Sequence, residues 1–323
     1  MATSADVTFT TICDRPFAWG AFLLVASIRR SGLRCPIHAF VTDGDAETEA
    51  WLRQFDGVSI RRLDPRRNGL SPLLRKPEAM LTAETEYAAW IDSDCIVIGD
   101  ISPHLIPSNG ACQVRYCSEQ ENRFLFKIKA GDRYGPGDDG VHIPRKVLAI
   151  WRRDIGEKEE TSMTTMAQAD MFVLHRRHFD FVERWRDEMI RLVPDLNPAH
   201  TVHRESFAYF MADMSVFNAL LAFSRRAPPV GEFQMNCDPA GFICHFGARP
   251  KPWVRWTLRN FRYFDEIASI IAWARHSGYA TPSIPWHFNP AFKTLARVAA
   301  FARASVFRVA DAAGRGRKMR PEA

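Results

Sequence analysis

No two cysteines in this chain are spaced C-x-x-C, and the seven present, at 13, 35, 95, 112, 117, 237 and 244, cannot all pair. A cysteine zinc site and a disulfide framework are therefore both disfavoured. Small thiols packed in the core of a protein from a reducing compartment are the expectation. Long apolar runs are also missing. The longest charge-free stretch near the N-terminus, Phe17 to Ile28, is twelve residues, too short to cross a bilayer. No basic region, apolar stretch and cleavage site open the chain, which argues against a secretory signal peptide and for a cytoplasmic location. Lysine is scarce: only eight of the 43 basic residues, the rest being arginine, a bias that points to a GC-rich bacterial gene. The net charge of +6 is not gathered on a nucleic-acid-binding module, so nucleic acid is excluded as a partner. A mild basic excess suits phosphate-bearing partners or an anionic membrane surface.

What is there is ordinary globular material. The 323 residues, 46% hydrophobic and 25% charged, suffice for a substantial core in two domains or one large one. The first 110 residues alternate strand and helix patterns. Strands are predicted at Val7 to Cys13, Pro36 to Thr42, Val58 to Leu63 and Tyr87 to Ile91. Helices are predicted at Phe17 to Arg30, Ala46 to Phe55 and Pro77 to Glu84. That rhythm predicts an α/β fold with a mixed, mostly parallel sheet flanked by helices. Glu119 to Gly140, rich in charge and glycine, reads as a long loop. Beyond it come a short strand at Met171 to Leu174, helices at Phe179 to Leu192 and Asp213 to Phe223, and a strand at Phe242 to Phe246. The expected division is a catalytic domain over 1–255 and a helical extension with a basic tail over 256–323.

The sharpest chemical signal is Trp90-Ile91-Asp92-Ser93-Asp94. An apolar strand delivers two carboxylates, two residues apart, to the sheet's carboxyl edge, where α/β proteins bind ligands. Paired hard oxygen ligands there suit Mg²⁺ or Mn²⁺ and, through the metal, a diphosphate. A surface turn with two aspartates is the plain alternative for such a match taken alone. Ile96 or Val97 stands where a phosphatase D-x-D-x-T pattern carries threonine, which disfavours that chemistry. A second signal is His245-Phe246-Gly247-Ala248-Arg249-Pro250-Lys251-Pro252-Trp253. His245 leaves a strand and offers a neutral imidazole to the same metal. Gly247 lets backbone approach a phosphate, and Lys251 neutralises phosphate charge.

These motifs, in this order, resemble the GT-A glycosyltransferases, specifically family 8, which includes glycogenin and bacterial lipooligosaccharide galactosyltransferase. The resemblance spans about Val7 to Trp253. It implies a Rossmann-like GT-A domain using Mn²⁺ or Mg²⁺, held by Asp92, Asp94 and His245, and a nucleotide-sugar donor, a UDP-hexose. It implies that Asp14 and Phe17 contact the uracil, that Lys76 lies as a cation near the donor, that Ser93 lies with the donor-binding residues, and that Asp213 binds donor-sugar hydroxyls. Asp94, Asp213 and Lys251 are the catalytic candidates. The glycine lies one position nearer the histidine than in the family, and Met214 stands where the family has a glutamine near the anomeric carbon. Kinship implies retention, and without a nucleophile at 214 same-face attack fits best. For Asp14 and Phe17 a helix cap and a core aromatic are the plain readings; for Lys76 and Asp213 a solvated charge is.

The last stretch, Pro290 to Arg320, sets Leu295, Val298, Ala302, Val306 and Val309 on one helical face and Lys293, Arg297 and Arg308 on the other. A basic tail follows. This pattern fits a peripheral hold on the inner face of an anionic membrane, and with it a glycan, lipopolysaccharide or lipid-linked acceptor. A packed helix with a free tail is the alternative. Two other functions remain open: a nucleotidyltransferase, and a catalytically silent nucleotide-binding relative acting as an interaction protein.

Overall fold

Every residue of Val7–Cys13 (β1) is buried. Helices cover both faces of the sheet at its centre, so that even Thr8, Thr10 and Thr11 of this strand are enclosed. The computed structural model describes residues 6–63, 75–107, 111–129, 142–193, 207–232, 242–247 and 250–318. Around β1 lie Ile37–Val41 (β2), Val58–Arg61 (β3), Tyr87–Ile91 (β4), Cys112–Tyr116 (β6), Ala167–His175 (β7) and Val230–Glu232 (β8). They form one sheet in the order β3-β2-β1-β4-β7-β6-β8, in which only β7 runs against the others. Cys95–Val97 (β5) and Ile243–His245 (β9) form a separate antiparallel pair.

Strand order reverses at β1. The chain runs outward through β2 and β3, then returns to pair β4 on the other side of β1. A crevice opens at such a switch point, outside the carboxyl ends of the strands. Asp14 follows β1 and Asp92 follows β4, so both fall at that crevice.

The helices are Ala18–Arg30 (α1), Ala46–Arg53 (α2), Lys76–Met80 (α3), Glu119–Arg123 (α4), Arg145–Ile155 (α5), Phe179–Leu192 (α6), Asp213–Phe223 (α7), Leu258–Phe261 (α8), Phe264–His276 (α9) and Lys293–Lys318 (α10). Alternate strand residues feed two cores. Tyr87, Ala89 and Ile91 of β4, with Met171 and Val173 of β7, pack under α1 and α9. Ala88 and Trp90, with Phe172 and Leu174, pack under α6 and α7. Asn218 ties α7 to the sheet: its amide donates to the Ala167 carbonyl at 2.8 Å and its carbonyl accepts from the Ala167 N–H at 2.6 Å.

Three expectations change. Glu119 to Gly140 is not loop throughout: α4 occupies 119–123 and a π-helical turn 124–129, while 130–141 lie outside the described residues. The cause is a capping box, in which Ser118 and Glu121 satisfy each other's backbone N–H groups. The helix expected over Pro77 to Glu84 ends at Met80. The strand expected at Met171 to Leu174 begins four residues earlier, at Ala167.

After residue 255, α9 buries Phe264, Ile267, Ile270 and Ile271 in the α1 core, while α10 rests there through Ala296 and Ala300. The large apolar residues of α10 face outward: Leu295 is 55% exposed, Val298 58% and Phe301 63%. Val306, Val309 and Arg308 have side chains outside the described residues. Among the described residues no helix is long and apolar enough to cross a membrane.

Candidate active site

The short β5–β9 ladder assembles the site. After Asp92 the chain turns, with the Cys95 N–H donating to the Asp92 carbonyl at 3.0 Å, and enters β5. There Cys95 lies opposite His245, and the Phe246 N–H donates to the Asp94 carbonyl at 2.9 Å. His245 thus reaches the two aspartates from 150 residues away. Its Nε2 lies 3.3 Å from Asp94 Oδ1 and 3.9 Å from Asp92 Oδ2.

Cations fill the other flanks. Lys251 Nζ donates to Asp94 Oδ2 at 2.5 Å and to the Phe246 carbonyl at 2.6 Å. Lys76 Nζ lies 2.8 Å from both Asp92 Oδ1 and Asp213 Oδ2, and donates to the Ala169 carbonyl at 2.9 Å. The Trp90 indole N–H donates to Asp92 Oδ1 at 2.8 Å. On the far side of the histidine, Nδ1 lies 3.0 Å from Asp170 Oδ2, which Arg115 approaches at 3.5 Å. Four carboxylates thus meet three fixed cations and one imidazole. Charges largely removed from water persist only when paired, and here each has an opposite partner.

The titration behaviour follows from that crowding. Burial would lower His245, but Asp94 and Asp170 outweigh it and hold the imidazole well above 6.5. Burial would raise Asp94, but His245 and Lys251 hold it far below the usual carboxylate range. Asp170 behaves likewise under His245 and Arg115. Asp92 is the softer member of the group: burial, partly offset by Lys76, pushes it up to about 6, with Asp94 adding repulsion. Lys76 stays charged, since Asp213 and Asp92 overcome the desolvation that would lower it.

Phe17 packs edge-on against Trp253 at 6.1 Å, and Lys251 Nζ sits 5.5 Å above its ring. Trp253 is anchored by its indole N–H on the Pro16 carbonyl at 2.8 Å. Helix α1 comes close here. A Cβ at Gly20 would stand 2.4 Å from the Ser93 carbonyl oxygen and 2.6 Å from the Trp253 ring, so only glycine fits. Gly247 lies close to the imidazole, a Cβ there standing 3.0 Å from His245 Cε1. Ser93 is buried between the two aspartates. Asp14 sits at the rim and caps the 3₁₀ turn Arg15–Phe17, accepting the Phe17 N–H at 3.2 Å.

The structure therefore brings Phe17, Lys76, Asp92, Ser93, Asp94, Asp213, His245, Gly247 and Lys251 together, with Asp14 at the edge. Lys76 and Asp213 are not solvated charges; they are bonded to each other. Met214 is buried in the α6–α7 core. Three neighbours escape the sequence reading: Asp170, Arg115 and Trp90 as a hydrogen-bond donor. The acid directly before the apolar run MFVL of the AQADMFVLH strand is the signal that points to Asp170.

The donor set fits a divalent cation. Asp94 Oδ1 and Asp92 Oδ2 lie 3.3 and 3.9 Å from His245 Nε2, and hard oxygen with one nitrogen suits Mn²⁺ or Mg²⁺. Asp94, Cys95 and His245 also offer ligand atoms within 4.8 Å of one another.

No family model matches the chain, and no curated protein matches it in sequence. Solved structures do. The chain is similar to WbbM, a bifunctional glycosyltransferase, at a TM-score of 0.55 and 16% identity, over 82% of this chain and 49% of that one. It is similar to the glycosyltransferase GlyE of Streptococcus pneumoniae TIGR4 at a TM-score of 0.50 and 13% identity, over 86% of this chain and 65% of that one. The chain thus spans about half the length of WbbM and just under two thirds of GlyE. Its fold is the GT-A fold of these glycosyltransferases, with the charged cluster set at the switch point between β1 and β4.

Proposed function

We propose that this protein transfers a hexose from a nucleotide sugar, a UDP-hexose, to a glycan or lipid-linked acceptor with retention at the anomeric carbon. The observation that carries the reading is the convergence of Asp92, Asp94 and His245 with Lys76, Lys251 and Asp213 at the switch-point crevice of a GT-A sheet. Asp92, Asp94 and His245 would hold Mn²⁺ or Mg²⁺, which supplies positive charge to the leaving diphosphate. Lys251 adds a second cation at the same place, and stabilising that charge is the largest electrostatic demand of the reaction. Lys76 holds the Asp213 carboxylate in position to accept hydrogen bonds from donor-sugar hydroxyls. Asp14 and Phe17 lie at the rim for the base. Met214 provides no nucleophile, so the acceptor attacks on the face the leaving group departs.

The outward apolar stripe of α10 supports an anionic membrane surface as the place where a lipid-linked or lipopolysaccharide acceptor is met. Trp286 and Phe292 extend the stripe, ring against ring at 6.4 Å. Arg297 and Arg303 stand exposed on the same helix. Aromatic and aliphatic side chains mixed with arginines suit the headgroup boundary.

The test is release of nucleoside diphosphate from a panel of nucleotide sugars with Mn²⁺, Mg²⁺ or chelator, beside Asp94→Asn. Metal-dependent release from one donor, lost in the variant, is expected. Release of pyrophosphate instead would make the protein a nucleotidyltransferase. Nucleotide binding with no turnover in the presence of candidate acceptors would make it a silent relative.

A further inference from the structure

We infer that Asp170 is the positioning residue of this site, fixing the His245 imidazole so that Nε2, and not Nδ1, faces the Asp92–Asp94 pair. The inference rests on the metal reading above and extends it to a residue that neither motif contains.

The geometry leaves Asp170 one role. It stands on β7 directly beside the strand end that carries Asp92, whose N–H donates to the Asp170 carbonyl at 2.8 Å. Its side chain is 6% exposed. Oδ1 accepts the Met171 N–H at 2.9 Å. Oδ2 lies 3.0 Å from His245 Nδ1 and 3.5 Å from Arg115. Both oxygens are thus engaged on the side of the imidazole away from Asp92 and Asp94, so Asp170 is not itself a ligand. An imidazole that bonds a metal through one nitrogen commonly gives its other N–H to a carboxylate. That bond sets the ring's orientation and raises its basicity.

The carboxylate is held in turn. Arg115 Nη1 reaches both Glu121 oxygens, at 3.1 and 2.8 Å. Glu121 belongs to the capping box that starts α4. The chain His245–Asp170–Arg115–Glu121 therefore runs from the site to a helix end, and the ring cannot turn without breaking it. Gly247 abuts the same ring: a Cβ there would stand 3.0 Å from His245 Cε1.

The test compares Mn²⁺ binding to the wild-type protein, Asp170→Asn and Asp170→Glu, by electron paramagnetic resonance of free Mn²⁺. Asp94→Asn serves as the ligand-loss control. In the metal-free protein, ¹⁵N-histidine labelling follows the downfield Nδ1–H proton of His245. Asp170→Asn should weaken Mn²⁺ binding roughly 10- to 100-fold and remove or shift that proton, with unchanged far-ultraviolet circular dichroism. Asp170→Glu, which keeps the carboxylate, should recover part of the affinity. Wild-type Mn²⁺ affinity in a folded Asp170→Asn, or an unmoved Nδ1–H signal, would overturn the inference and leave the metal site standing. Absence of Mn²⁺ binding by the wild-type protein would overturn the metal reading, and this inference with it.

Discussion

The carboxyl edge of the sheet and the outer face of α10 hold opposite kinds of misplaced residue. At the edge, charged groups are buried, yet each finds a partner within 3.5 Å or so. On α10, large apolar groups are exposed to water, and nothing among the described residues covers them. Neither arrangement serves stability well. Hydrophobic residues of similar volume in place of a buried ion network are often neutral or stabilising, and a contiguous apolar patch commonly marks an interaction surface. The difference lies in what each region needs from outside. The edge is electrostatically complete and must exchange an internal proton or cation for its ligand. The helix face is incomplete and gains by any contact.

Breaking the edge should give the largest effects. Asp94→Asn should lower donor turnover by about 10²-fold or more, since a developing charge loses its stabilisation. Asp94→Ala should in addition lose stability, about 3–5 kcal/mol in urea denaturation, because Lys251 then keeps a buried charge without a carboxylate. Lys76→Met should cost about 3–5 kcal/mol as well, by stranding Asp92 and Asp213 together; a wild-type urea midpoint would refute the bridging role. Breaking the helix face should do the reverse. Replacing Phe292, Leu295, Val298 and Phe301 by serine should leave the melting temperature within a few degrees, each exposed site contributing about 0.5 kcal/mol or less. The same variant should lose co-sedimentation with anionic vesicles, and wild-type co-sedimentation would remove the membrane reading.

The smallest effect concerns a second buried histidine, which sharpens the account of His245. His38 bonds Thr82 at 3.0 Å. Burial, and then the Arg61 guanidinium, lower its pKa from 6.5. The folded protein thus takes up this proton less readily than the unfolded chain. The resulting stability is present above pH 6.5 and is lost as pH falls below it. The difference in urea stability between wild type and His38→Gln should shrink between pH 7.5 and 5, by at most about 1.4 kcal/mol per pH unit, His245 and Asp92 contributing equally to both proteins. The same side chain moves in opposite directions because at 38 burial and Arg61 outweigh Glu84, while at 245 Asp94 and Asp170 outweigh burial.

The parallel half of the sheet was legible in the sequence because each of its elements has a single period and a turn at its end. Phe179 to Leu192 and Asp213 to Phe223 match α6 and α7 residue for residue. Strand β7 reads short because Gln168 and Asp170 interrupt its apolar run. Their partners, Cys117 and His245, lie far away in the chain. Helix α4 is hidden by glycine-rich sequence downstream, although Ser118 and Glu121 spell its cap. At the site, the aspartates, His245 and Lys251 are legible because they leave apolar strands in recognisable motifs. Asp170 and Arg115 act only through a neighbour, and no local pattern reveals that. On α10 the periodicity shows an apolar face, but only packing shows that Ala296 and Ala300, beside that face, meet the core.

The β5–β9 ladder also sets a timetable. A ribosome-bound chain that has emerged only as far as β7 already owns Asp92, Asp94 and Asp170, but His245 and Lys251 are still to be synthesised. Three aspartates would then crowd together with half their counter-charges missing, so the carboxyl edge can close only when the last strand arrives. Competence to bind would come only once β9 and Lys251 have emerged, and chains truncated before them would be left without it.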